Sequence, residues 1–114
     1  MRKLSEINLQ ERDRQAVEKA VSILKKDFPV TEVFLFGSKA RGDDDAESDI
    51  DLLVLTSQQI TWQERNKMTD ALFDVQLKYG VVISLLVVPF EKWKRGILIA
   101  HPIHDIIEEE GVTA

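Results

Sequence analysis

The 114-residue chain contains no cysteine, which excludes disulfide staples and thiolate metal sites alike. It also lacks an apolar run of the roughly 18 residues that a membrane-spanning helix needs. Its opening stretch, MRKLSEINLQERDR, turns polar at once and has no apolar segment of the secretory-signal kind. Together these absences point to a cytoplasmic setting without membrane contact. Positive charge is short as well: 15 Lys and Arg stand against 20 Asp and Glu, for a net charge of -5. Long nucleic acids are held by counterion release from a basic face, so that partner class is excluded. No linker, internal repeat or low-complexity stretch divides the chain, and its length suits one domain over residues 1–114.

What is present is a globular balance, 44% hydrophobic and 31% charged. Asn8-Leu9-Gln10-Glu11 has the form of a capping box, and Val17, Ala20, Val21, Leu24 and Phe28 follow at helical spacing, which predicts a helix from about Leu9 to Asp27. Pro29 stops it, and the β-branched and aromatic run Val30 to Phe36, closed by Gly37, predicts a strand. Asp49 to Leu55 predicts a second strand, apolar on both faces from Leu52 onward and therefore central. A second capping box, Thr61-Trp62-Gln63-Glu64, opens one long helix through Met68, Ala71, Leu72, Val75 and Tyr79, which Gly80 ends. Val81 to Val88 is the clearest strand. Short helices follow, one carrying Phe90, Trp93 and Ile97 and another running from Pro102 to Glu110 until Gly111 closes it. This order predicts an α/β or α+β sandwich around a small, largely buried sheet.

The stretch FGSKARGDDDAESDIDLL carries the chemistry. Six acids, Asp43, Asp44, Asp45, Glu47, Asp49 and Asp51, fall within nine residues. A solvated loop accounts for Asp43 to Glu47. It does not account for Asp49 and Asp51, because ionised carboxylates at the start of a buried strand are costly unless a cation or strong donors meet them. Period-two geometry puts both on one face, where they can share a divalent metal; Mg²⁺ is usually held by one or two carboxylates together with substrate phosphates. The alternative is a strand-start pair projecting into solvent. If the first two strands are antiparallel neighbours, Gly37-Ser38 converges on the aspartates. Glycine allows close approach of backbone to phosphate, Ser38 and backbone amides can donate to it, and Lys39 and Arg41 supply cations. Ser38 also suits a helix N-cap. A Walker A reading fails because Asp43-Asp44 replaces Lys-Ser/Thr, and an EF-hand fails for want of the sharp-turn glycine.

Gly37-Ser38, ten residues, then Asp49-x-Asp51 resembles the signature of the DNA polymerase β-like nucleotidyltransferase superfamily, specifically its small minimal nucleotidyltransferase proteins. Ala40-Arg41-Gly42, Ser48 and the later YGVVISLLVV and HPIHDIIEEEG segments extend the likeness over nearly the whole chain. The resemblance implies a nucleotidyltransferase fold, a small mixed β-sheet with helices packed against it. It implies an NTP donor, ATP in the leading reading, usually with two Mg²⁺, and transfer of a nucleoside monophosphate to a hydroxyl with loss of pyrophosphate. Asp49 and Asp51 would be the catalytic metal ligands, and Gly37, Ser38 and Arg41 would hold the triphosphate. It further implies a HEPN-domain partner in a toxin-antitoxin pair, with the nucleotidyltransferase as antitoxin. The sequence departs from this pattern at one point. The later strand has no third carboxylate, and Ser84 stands at its position, which weakens the hold on a second metal and removes a strand-borne base. A catalytically weak subunit that neutralises its partner by contact is therefore the alternative. Glu91, just past Pro89, could substitute for that carboxylate; its plainer reading is an exposed acid at a helix N-terminus.

Other candidates have plainer readings beside them. His101 and His104 could reach one metal, but Pro102 between them disfavours a shared helical face. Tyr79, Trp62 and Trp93 read as core or edge packing before base stacking. Phe90, Trp93, Ile97 and Ile99 read as core before a surface for a partner or a second copy, a homo-oligomer.

Overall fold

The computed structural model describes residues 1–45 and 47–114, and of Ile97 and Leu98 the backbone alone. Five strands form one mixed sheet: β1 (Arg2–Lys3), β2 (Val30–Phe36), β3 (Ile50–Thr56), β4 (Ile83–Pro89) and β5 (Val112–Thr113), in the order β1-β5-β2-β3-β4. β2 runs antiparallel to β3 and β5, whereas β3 and β4, and β1 and β5, are parallel. The helices are α1 (Glu11–Asp27), α2 (Ser38–Arg41), α3 (Trp62–Ala71), α4 (Phe73–Tyr79), α5 (Phe90–Arg95) and α6 (Pro102–Glu110). Short 3-10 turns cover Leu4–Glu6 and Ile97–Ala100.

Both faces of the sheet are covered, and β3 shows why its sequence is apolar throughout. Ile50, Leu52 and Val54 join a core with Ala16, Val17, Ala20 and Leu24 of α1 and Met68, Leu72 and Val75 of the α3–α4 layer. Leu53 and Leu55 point the other way, into a smaller core with Val88, Trp93 and Ile107. Alternation along one strand thus serves two layers. Among the described residues no helix is long and apolar enough to cross a membrane.

Several boundaries differ from expectation. The box at Asn8 to Glu11 does not form; α1 starts at Glu11 with Gln10 at its cap position and no side-chain cap. Ile7 and Leu9 pack against the larger core, and Arg14 donates to the carbonyls of Leu4 and Ile7, which ties the preceding segment to the first turn of α1. The single long helix is interrupted at Leu72, whose N–H bonds to Thr69 O in a tightened turn. β4 begins at Ile83, not Val81, because the chain first turns through Gly80 in left-handed conformation and Gln76 Oε1 accepts from Ile83 N–H. α5 stops at Arg95, ahead of Ile97, whose side chain lies outside the described residues. The terminal strands β1 and β5, two residues each, lie outside the strands that the sequence predicts.

The second capping box forms as expected: Thr61 Oγ1 accepts from Glu64 N–H at 3.1 Å, and Glu64 Oε1 accepts from Thr61 N–H at 3.5 Å. Thr61→Ala should cost about 1 kcal/mol, a fall in Tm of roughly 4 °C, measurable by thermal denaturation, with Thr61→Ser close to wild type.

Candidate active site

Antiparallel pairing of β2 with β3 brings the end of the first and the start of the second to one edge of the sheet, with Phe36 opposite Asp51. Gly37 follows at φ 78° and ψ −159°, a conformation that a side chain rarely adopts. A methyl group there would also overlap Asp51 Oδ2. Glycine is therefore needed twice, for the turn and for the close packing of the Asp51 carboxylate against it. Gly37 also takes the cap position of α2, and no side chain caps that helix, so Ser38 is its first residue and not the N-cap.

Asp49 sits just before β3 and is exposed, whereas Asp51, in the strand, is half-buried. Parallel register places Ser84 of β4 beside Asp51, and its hydroxyl lies 3.4 Å from Asp49 Oδ2, a long hydrogen bond. Ser84 therefore stands level with the aspartates, where the sequence put it. Among the described residues no third carboxylate or histidine completes a metal-ligand group with them. Glu91 is no substitute. It lies beyond Pro89, at the opposite end of β4, about 20 Å from Asp51 at strand rise, and its carboxylate faces Arg95.

Burial raises the Asp51 pKa above its ordinary value, and the neighbouring Asp49 charge raises it further, with Arg41 only partly opposing them. Two carboxylates and a hydroxyl, all oxygen donors, one carboxylate desolvated and both repelling, suit a hard divalent cation. The observed residues fit one such ion and give little purchase for a second.

The two cations of the turn part company. Arg41 stays at the rim, its Nε 3.1 Å from Asp43 Oδ2 and its Nη1 3.3 Å from Glu110 Oε2. Lys39 was expected to meet phosphate and instead turns inward: its side chain is 1% exposed, with Nζ 2.8 Å from Asp13 Oδ2 and 3.1 Å from Asp44 Oδ2. Burial disfavours the ammonium, but hydrogen bonds and charge from Asp13 and Asp44 prevail and hold its pKa above the ordinary value. Asp44 is thus tied down, not merely solvated. Asp13, missed from sequence, had a signal: it precedes the buried Ala16, Val17, Ala20 and Leu24 on the same helical stripe.

The remaining candidates take structural places. His101 Nδ1 accepts from Ile103 N–H at the start of α6, and His104 packs its ring 4.5 Å from that of Trp93. Trp93 is buried as expected; Trp62, expected to pack, is 71% exposed. A cleft of about 260 Å³ opens beside Ser84, walled in part by Arg65, Thr69 and Gln76.

Residues 18–100, which include Gly37, Ser38, Asp49, Asp51 and Ser84, match the model of the family described as polymerase beta, nucleotidyltransferase. The chain belongs to this nucleotidyltransferase family. Two Methanocaldococcus jannaschii proteins are similar to it: the candidate protein adenylyltransferase MJ0141, 40% identical over 61% of this chain and 70% of its own, and the candidate protein adenylyltransferase MJ0604, 33% identical over 87% and 94%. The solved structure of a candidate minimal nucleotidyltransferase superposes with a TM-score of 0.64 at 26% identity, covering 95% of this chain and 97% of the other. A structure of the tri-AMPylated Shewanella oneidensis HEPN toxin with its MNT antitoxin shares the fold, at a TM-score of 0.57 and 15% identity over 88% of this chain and 69% of that chain.

Gly37→Ala should lower stability by about 2 kcal/mol or more, from backbone strain plus displacement of Asp51, and in an Asp51→Ala background the cost should shrink toward strain alone, about 1 kcal/mol; denaturant midpoints of the four proteins check this. The charged Asp51 destabilises the metal-free fold, fully so above its raised folded pKa, and that cost fades as pH falls from there to the unfolded value. Asp51→Asn should therefore melt slightly above wild type at pH 7 in EDTA, by an amount that solvent screening keeps small, with the advantage gone at acid pH.

Proposed function

We propose that the protein is a Mg²⁺-dependent nucleotidyltransferase that moves AMP from ATP to a hydroxyl of a HEPN-domain partner, acting as the antitoxin of the pair. The observation that carries this reading is the convergence of Asp49 and Asp51 with the Gly37 turn at one edge of the sheet. The names of the Methanocaldococcus jannaschii relatives support protein adenylylation, and the toxin-antitoxin structure supports the kind of partner. In this reading Asp49 and Asp51 hold Mg²⁺, which neutralises charge on the reacting phosphoryl and pyrophosphate oxygens. Gly37 admits the triphosphate to the backbone, Ser38 donates to it, and Arg41 exchanges its Asp43 and Glu110 carboxylates for phosphate oxygens. The acceptor oxygen bonds to the α-phosphorus, the bond to pyrophosphate breaks, and the hydroxyl proton leaves to solvent, since Ser84 offers no basic group.

Incubation with Mg²⁺, α-labelled ATP and the product of the adjacent gene should label that product, and Asp49→Ala with Asp51→Ala should abolish the label. Equal labelling by the double variant would sink the mechanism. Mg²⁺ with ATP should also raise the Tm of wild type and leave that of the double variant unchanged.

Ser84 favours a second reading, neutralisation by contact. There the double variant still binds and silences the partner; binding without silencing excludes it.

A further inference from the structure

Lys39 does more than fill a buried niche, because its three N–H donors go to three separate places. One meets Asp13 Oδ2 on α1 at 2.8 Å, one meets Asp44 Oδ2 at 3.1 Å, and one meets the Asp45 carbonyl at 3.3 Å. The Asp45 carbonyl also accepts from Ser48 N–H at 3.2 Å, and Ser48 Oγ accepts from Asp45 N–H at 3.0 Å. Lys39 directly follows Ser38, and Ser48 directly precedes Asp49. A single ammonium, anchored on α1, thus links the glycine turn to the loop that delivers the exposed aspartate.

That link matters because Asp49 lies outside β3, so no strand ladder fixes it. Asp51 is held by the sheet and by its contact with Gly37. Asp49 is held by the loop, by a long bond from Ser84, and through the loop by Lys39. We propose that Asp13 and Lys39 are positioning residues: their buried ion pair sets the place of Asp49 relative to Gly37-Ser38, and so the affinity of the site for metal-bound nucleotide. This rests on the nucleotidyltransferase reading for the identity of the ligand, and on the geometry alone for the ordering of the loop.

Substituting both partners removes the inward charges together; Asp44 and Arg12, whose Nε lies 3.7 Å from Asp13 Oδ1, lose a partner but reach solvent at 20% and 39% side-chain exposure. Replacing both partners of a buried ion pair by apolar side chains of similar size is often neutral for stability, whereas removing one is not. In Asp13→Leu/Lys39→Met the denaturant midpoint should stay near wild type. Amide exchange at residues 37–45 and 48–49 should nevertheless quicken about tenfold or more, and affinity for AMP-PNP with Mg²⁺ should fall about tenfold or more. Lys39→Arg, which keeps the charge, should retain most of both. If the double variant recovers stability and also matches wild type in exchange and in nucleotide affinity, the pair is structural and the inference is wrong. Should the double variant not fold, Asp44→Asn carries the test: faster exchange at 43–45 supports the link, and wild-type exchange there overturns it. Failure of the wild type to bind AMP-PNP would count against the proposed function, while the exchange measurement still decides the role of Lys39.

Discussion

Negative charge gathered at the mouth of a buried strand is the constraint on which this end of the molecule depends. β3 is closed on both faces, so Asp51 enters it only by giving up part of its hydration, and Asp49 beside it makes ionisation harder. Compensation from the protein is mostly spent elsewhere. Lys39 is committed to Asp13, Asp44 and a carbonyl, and Arg41 divides itself between Asp43 and Glu110. Every cation of the turn is therefore assigned before Asp49 and Asp51 are served. A surplus of this kind is stable as part of a folded protein because most of the cost is spread over solvent, and it leaves an oxygen-lined place for a cation brought in from outside.

The same division of cations fixes the geometry. Were Lys39 on the surface, Asp44 and the Asp45 carbonyl would lose their tie to α1, leaving Arg41 on Asp43 and the Asp45–Ser48 bonds to hold the loop. Drawn inward, Lys39 gathers the Asp44 carboxylate and the Asp45 carbonyl about one buried nitrogen. Arg2 adds a second tie, donating from Nη2 to the Ala40 carbonyl at 3.1 Å, so the terminal strand also braces α2. The glycine turn is thus pinned on several sides although its helix is only four residues long.

The elements that sequence revealed were those with a local cause. The strand from Val30 to Phe36, the Thr61 capping box, the left-handed stop at Gly80 and the α6 span all follow from side-chain shape or capping within a few residues. The register that sets Ser84 beside Asp51 also agreed with the pattern, because β3 is buried on both faces and β4, of matching length, places Ile83 and Val88 in the two cores. What escaped was settled by distant partners. β1 and β5 are two residues each and exist only because they pair with one another and with β2. The inward turn of Lys39 required an acid 26 residues earlier, and a lysine beside a glycine turn reads locally as a phosphate contact. Trp62 has the composition of a core residue, but its place at the first turn of α3 leaves it facing out.

Ser84 then bears on rate more than on recognition. A third carboxylate would add one more negative charge to a site where Asp51 already resists ionisation, and would offer a base for the attacking hydroxyl. The serine removes both effects and leaves a hydroxyl on Asp49. Loss of general-base assistance is worth roughly 10²–10⁴ in rate, which is severe for an enzyme that must turn over a metabolite pool. It is far less severe where the acceptor is a partner protein present in comparable amount, because each partner molecule needs to be modified only a few times and the complex holds acceptor and site together at high effective concentration. On the reading proposed above, contact and catalysis are then not opposites. Tight association supplies the residence time that a slow transfer requires, so a site with two carboxylates in place of three remains compatible with silencing a partner by modification.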